Sequence, residues 1–237
     1  MNKRLNESDV KDFYESVDSV WPSNNKWHEI NQKEINSFIK KMDFKDDSII
    51  LNAGSGGNEY GLKQIIINID ISKNHNKNLK HFIQGNVESI PFENNFFDAA
   101  ICVGSVINYC DAVCTINELS RVIKPGGKLI LEFESSYSYE YINTEAYMQS
   151  AELITTSYFN KPHRMWVYSP KYILSLLKCS HFYIKKCRPY HIISGMAIHV
   201  TKNENKSAKY ACLDSLFRHI PNIRWHSGNI IVYCIKQ

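Results

Sequence analysis

With 237 residues, 43% of them hydrophobic and 12% aromatic, the chain can build one sizeable core, which excludes an intrinsically disordered protein. Its 28 basic and 24 acidic side chains leave a formal charge of +4, too small a bias to argue for nucleic acid. No apolar run approaches the roughly 18–20 residues of a membrane span, the polar start has no signal-peptide core, and seven cysteines without a CxxC pair read as reduced thiols, so a cytoplasmic chain is expected.

Along the chain, Val10, Phe13, Tyr14 and Val17 recur at helical spacing after a candidate cap at Ser8. Ile35, Phe38, Ile39 and Met42 predict a second helix, with Asn31 as its cap. The loop between them carries Trp21 and Trp27. Short apolar runs follow: Ser48–Leu51, Ile65–Ile69 ending at Asp70, His81–Ile83, Ala99–Val103 and Lys128–Phe133. Continuous apolar strands suit a sheet covered on both faces. Only residues 53 to 64 join the first two strands, room for one or two helical turns. Val113, Ile116, Leu119 and Ile123 mark a helix that stops at Lys124-Pro125-Gly126-Gly127. This order predicts parallel pairing through right-handed crossovers. Residues 135 to 168, rich in Tyr, Ser and Thr, contain no clear core element and read as a lid. Ser169-Pro170 then starts a helix, Phe182–Cys187 is a strand, Leu213, Leu216, Phe217 and Ile220 mark a last helix, and Asn229–Ile235 is the final strand.

Chemistry concentrates after the first strand, in Leu51-Asn52-Ala53-Gly54-Ser55-Gly56-Gly57-Asn58. Gly54 and Gly56 let the backbone turn and approach a ligand closely. Asp70, at the end of the second strand, is placed to accept hydrogen bonds from ribose hydroxyls. Asn86 and the backbone of Val87 can read an adenine edge. A nicotinamide enzyme needs a third glycine where this chain has Glu59, whose acid would meet a pyrophosphate.

The glycine turn, Asp70, the Asn86-Val87-Glu88 segment and the Pro125-Gly126-Gly127 stop, in this order, resemble the class I S-adenosylmethionine-dependent methyltransferases over about residues 45 to 135. The resemblance implies a doubly wound α/β fold: a seven-stranded, mostly parallel sheet with an antiparallel last strand, an N-terminal helical arm and a lid inserted after the fifth strand. The corresponding segments are 1–43 for the arm, 44–134 for the cofactor-binding half, 135–168 for the lid and 169–237 for the rest of the same domain. It also implies S-adenosyl-L-methionine as cofactor, held by Asn52, Ala53, Gly54, Ser55 and Gly56 at the methionine end. Asp70 and Ile71 would take the ribose, Asn86 and Val87 the adenine, and Val103 and Gly104 would pass near the sulfonium. Tyr14 would close from the arm. Two positions depart from the commonest pattern, where Asn52 replaces a carboxylate and Asn58 a glycine, and an amide brings no charge to the cofactor.

Methyl transfer needs alignment more than a fixed catalytic signature. His163, in the lid, is the candidate base, and Tyr109, just past the fourth strand, is a candidate for the acceptor pocket. Lys161, Arg164, Lys185, Lys186 and Arg188 favour an anionic acceptor, and the aromatics Trp21, Trp27, Tyr137, Tyr139, Tyr141, Tyr158 and Trp166 a planar small molecule. No metal site is expected. Gly104-Ser105-Val106-Ile107 lacks the Pro-Pro-aromatic motif of amino-methylating DNA enzymes, and no cysteine follows a proline. An RNA or protein methyltransferase, or a cofactor-binding protein without catalysis, are the alternatives.

Overall fold

The computed structural model describes residues 5–237; the first four residues of the predicted arm lie outside the described part. Helix α1 (Glu7–Glu15) and helix α2 (Lys26–Ile39) come first. Strands β1 (Ile49–Ala53), β2 (Ile65–Asp70), β3 (Phe82–Gln84), β4 (Phe97–Cys102) and β5 (Ile123–Glu134) follow, with α3 (Ala112–Val122) before β5. Then come β6 (Ala151–Tyr158), β7 (Lys161–Tyr168), α4 (Pro170–Cys179), β8 (Phe182–Tyr190) and α5 (Ile193–Thr201). The single-turn helices α6 (Glu204–Ser207) and α7 (Asp214–Phe217) and strand β9 (Asn229–Lys236) complete the chain.

Seven strands form one sheet in the order β3-β2-β1-β4-β5-β9-β8. Strands β1 to β5 pair in parallel, and β9 inserts antiparallel between β5 and β8. The expected doubly wound α/β architecture with an antiparallel last strand is therefore present. Its central strands are apolar on both sides because each face is covered. Leu51, Ala100, Cys102, Leu129, Leu131 and Val232 point to one face, with α3 and α4 above them through Ile116, Leu119, Ile173 and Leu177. Their neighbours Ile50, Ala99, Ile101, Ile130 and Ile231 point to the other, under Ile35, Phe38 and Ile39 of α2. Among the described residues no helix is long and apolar enough to cross a membrane.

Five local expectations are corrected. Helix α1 is capped by Asn6, whose Oδ1 accepts from Ser8 N at 3.3 Å, so Ser8 is inside the helix. Asn25 caps α2 by accepting from Trp27 N and His28 N, which brings Trp27 into the helix and leaves Asn31 free to bind His191. No helix connects β1 to β2. Gly54, Gly56, Gly57, Tyr60 and Gly61 all have positive φ, so the connection is a chain of turns, and α2 covers that part of the sheet instead. The lid segment holds a regular hairpin, β6–β7, in register from Ala151↔Tyr168 to Tyr158↔Lys161. Its alternation was hidden because much of β6 is polar and half-exposed. The expected last helix is broken into single turns, with Leu213, Leu216 and Ile220 exposed, and α5 was not anticipated.

Candidate functional site

The site opens where β1, β2 and β4 end at the same edge of the sheet. Gly54 leaves β1 at φ +73°, and a Cβ there would sit 2.3 Å from Val106 Cγ2. Gly57, at φ +81°, has the carbonyl oxygen of His75 where its Cβ would be, 2.3 Å away, so both positions require glycine. Asn52 lies beneath this loop, almost fully buried. Its Nδ2 donates to Asn58 O at 2.7 Å and to Asn68 Oδ1 at 2.8 Å, while Asn68 Nδ2 donates to Glu59 Oε1 at 2.8 Å. The amide at position 52 thus supplies two donors that a carboxylate lacks.

Asp70 ties the loop to β2. Its Oδ2 accepts from Gly56 N and its Oδ1 from Ser72 N, both at 2.8 Å. Burial pushes this carboxyl up, against those two N–H groups, which favour its charge. Each oxygen keeps a lone pair for a further donor.

Helix α1 roofs the site. Glu15 Oε1 accepts from Lys73 N at 2.7 Å, Asn74 Nδ2 donates to Glu15 O at 3.0 Å, and His75 Nε2 meets Tyr14 O at 2.9 Å. Asn86 Nδ2 donates to Glu7 Oε2 at 2.7 Å. From the other side, the β6–β7 hairpin holds the arm through Tyr158 OH to Val20 O at 2.8 Å and Lys161 Nζ to Ser16 Oγ at 3.1 Å. Between sheet edge, arm and hairpin lies a cavity of about 870 Å³. That is at the upper end of the range for small-molecule sites.

Gly54, Ser55, Gly56, Asp70, Ile71, Asn86, Val87, Val103, Gly104 and Tyr14 all line the cavity, whereas Asn52 and Ala53 are buried behind the loop. His163 and Tyr109 line it too. His163 sits on β7 opposite Thr156, boxed by aromatic rings: its centroid is 4.1 Å from that of Phe13, 5.0 Å from Tyr109, 5.8 Å from Tyr158 and 6.1 Å from Tyr14. Only 5% of it is exposed, and its Nε2 is buried without a hydrogen-bond partner. Burial lowers its pKa to about 4, so the ring is neutral at physiological pH. Burial also raises the Tyr109 and Tyr14 hydroxyls, keeping both protonated.

The lining also includes Trp21 and Trp27, singled out in the sequence among the aromatics, and the acids Glu134, Glu140 and Glu204, which were not. Trp27 stacks on His191, with centroids 3.6 Å apart and planes 2° from parallel. Trp21 lies against Gly104. Glu134 ends β5, and its Oε1 accepts from Tyr141 OH at 3.0 Å. Burial and the neighbouring Glu140 charge raise Glu134 to about 8, and burial and Glu204 raise Glu140 to about 7. One signal did exist: acids at 132 and 134 inside the apolar run KLILEFE. Of the five basic residues expected to meet an anion, none lines the cavity; Arg188 pairs with Glu34 at 2.6 Å and Lys161 holds the arm. Among the described residues no group of His, Cys, Asp and Glu is placed to hold a metal ion.

A parallel sheet with a glycine turn after its first strand and an acid closing its second defines a nucleoside-binding protein of the doubly wound class. Residues 51–131, about a third of the chain, match the model of a methyltransferase domain. It is 33% identical over 135 residues to the protein MJ0638 of Methanocaldococcus jannaschii, covering 52% of this chain and 60% of that one. The chain spans 55% to 60% of the length of two curated relatives that it matches. The fold is similar to that of the [4+2]-cyclase SpnF, with a TM-score of 0.63 and 14% identity over 98% of this chain and 97% of the other. It is also similar to the 1,6-didemethyltoxoflavin-N1-methyltransferase of Burkholderia thailandensis, solved with S-adenosylhomocysteine, at a TM-score of 0.56 and 10% identity over 98% and 87% of the two chains. Such methyltransferase domains use S-adenosylmethionine, and the donor set here fits its adenosine half: the Asp70 carboxylate retains acceptor capacity toward ribose hydroxyls.

Proposed function

We propose that the chain transfers a methyl group from S-adenosylmethionine to a small-molecule acceptor enclosed in this cavity, with His163 as general base. The observation that carries the reading is the pairing of the Gly54–Asp70 edge with a buried, unpartnered His163 Nε2 in the same cavity. The cofactor, when bound, supplies an electrophilic methyl carbon on sulfur. The Gly54–Gly56 loop and Asp70 would hold it, Asn86 and Val87 would border its adenine, and Val103 and Gly104 its methyl. The residues around it would align an acceptor nucleophile with that carbon, and the proton of that nucleophile would pass to the neutral His163. Tyr14, Tyr109 and Tyr158 around that ring exclude water and keep the acceptor aligned.

A closed cavity with no lysine or arginine among its described lining residues disfavours an RNA acceptor, whose phosphates need cations. Binding without methyl transfer is the second reading. It is supported by the amide at position 52, by the similarity to a cyclase, and by nothing else in the site.

Titration calorimetry tests the cofactor directly: S-adenosylhomocysteine is expected to bind and NAD not to. Binding of NAD alone would remove the reading. Once an acceptor fraction has been found with a labelled methyl donor, His163→Asn should lower turnover about 100-fold or more, the range of general-base contributions. Unchanged turnover would take His163 out of the mechanism.

A further inference from the structure

The acceptor side of the cavity has a one-sided charge. Seven carboxylic acids line the cavity and, among the described residues, no lysine or arginine does. Three of the acids lie near enough to feel one another's charge: Glu134 at the end of β5, Glu140 in the turn that follows, and Glu204 at the start of α6. Tyr141 donates to Glu134, while Glu204 takes hydrogen bonds from Asn25 and lies 3.9 Å from His28 Nε2. Among the described residues Lys202 is the one cation whose charge reaches Glu140, and it does not line the cavity.

We propose that the acceptor is a small organic cation, an amine held by Glu134, Glu140 and Glu204 against the rings of Tyr141 and Tyr158. The proposal rests on the methyltransferase reading and names its substrate class. Like charges gathered in a poorly solvated wall repel one another unless a cation or protons neutralise them. In this structure two of the three do hold protons up to near-neutral pH. An ammonium group would replace those protons, and aromatic rings favour the same charge. An anion would meet only repulsion. The second, independent mark of a ligand is His163: an imidazole that is 95% buried, by its 5% exposure, with an Nε2 that no protein atom satisfies. A buried polar atom of this kind is ordinarily completed by a partner, and the N–H of an amine supplies one.

The test uses the full chain saturated with S-adenosylhomocysteine, titrated at pH 7.5 with tyramine, tryptamine and histamine and with their carboxylate counterparts 4-hydroxyphenylacetate, indole-3-acetate and imidazole-4-acetate. At least one amine is expected to bind about tenfold or more tightly than its counterpart, the scale of one charge-assisted contact. The E134Q/E140Q variant should lose about tenfold for that amine while retaining S-adenosylhomocysteine affinity and a cooperative thermal transition. Carboxylates binding as well as amines, or no amine binding, overturns the proposal. So does an equal loss of S-adenosylhomocysteine affinity in the variant, since the acids would then serve the cofactor. Failure of S-adenosylhomocysteine to bind the native chain would sink the methyltransferase reading itself, a separate readout.

Discussion

Asn52 illustrates how one residue type is selected by its neighbours. It faces two acceptors, the Asn58 carbonyl and Asn68 Oδ1, inside an almost waterless space. Asn52→Asp brings a charge to the loop, yet removes both donors here. It is expected to destabilise the chain by about 1–3 kcal/mol, the cost of unsatisfied buried acceptors, measured by urea unfolding. An unchanged midpoint would show that the loop is held some other way. The same residue marks the limit of sequence reading. The glycines and Asp70 were legible because their roles are local, set by φ and by strand ends. The partner of Asn52 was not, because Asn58 and Asn68 reach it only after the β1–β2 connection has folded without a helix. Glu132 is a like case: it is fully buried and accepts from Ser105 N at 2.6 Å and Asn229 Nδ2 at 2.6 Å, partners 27 and 97 residues away.

At the scale of elements, the sheet was readable and the roof only in part. Strand runs such as Ile49–Ala53 and Phe97–Cys102 are continuous in apolar residues because they are covered on both faces, a signal strong enough to survive without context. Helix α1 showed in its periodicity, whereas the β6–β7 hairpin that holds it by hydrogen bonds and rings, not by a deep apolar seam, has a sequence that looks like loop. That weak attachment predicts motion. Elements with few buried apolar contacts open locally at low free energy, and α1 buries only Val10 completely. S-Adenosylhomocysteine, by filling the space under the roof, should slow limited proteolysis within residues 5–25. Tyr158→Phe removes the hydrogen bond to Val20 O, worth about 0.5–1.5 kcal/mol, and should speed cleavage there by about two- to tenfold in the ligand-free protein. Equal cleavage with and without ligand would mean that the arm is not a cover.

For the molecule as a whole, the buried titratable groups set opposing pH slopes. His163 and His191 have folded pKa values of about 4 and about 3, below the ordinary 6.5. Their contribution is complete above pH 6.5 and is lost as pH falls, because the unfolded chain then takes protons that the folded chain refuses. Glu134 and Glu140 behave in the reverse sense. Their folded values of about 8 and about 7 lie above the ordinary 4.5, so their stability is present at low pH and is lost as pH rises through 7 and 8. Glu134 faces Tyr141, Glu132, Glu140 and Glu204, and Glu140 faces Glu204 and Lys202, whose charge lowers Glu140 without offsetting its burial. Between pH 6.5 and 8.5 the histidines of the unfolded chain lose their remaining protons, a small opposing gain, and the glutamates dominate. Urea unfolding of the ligand-free protein should therefore show a loss of about 2 kcal/mol across that interval, at about 1.4 kcal/mol per pKa unit. The E134Q/E140Q variant should be nearly flat there. A bound amine cation should also flatten it in the native chain, since the carboxylates then ionise against a partner and not against each other. A native profile that rises from pH 6.5 to 8.5 would mean that the two acids are already neutralised, and would leave the cavity without the charge that an amine requires.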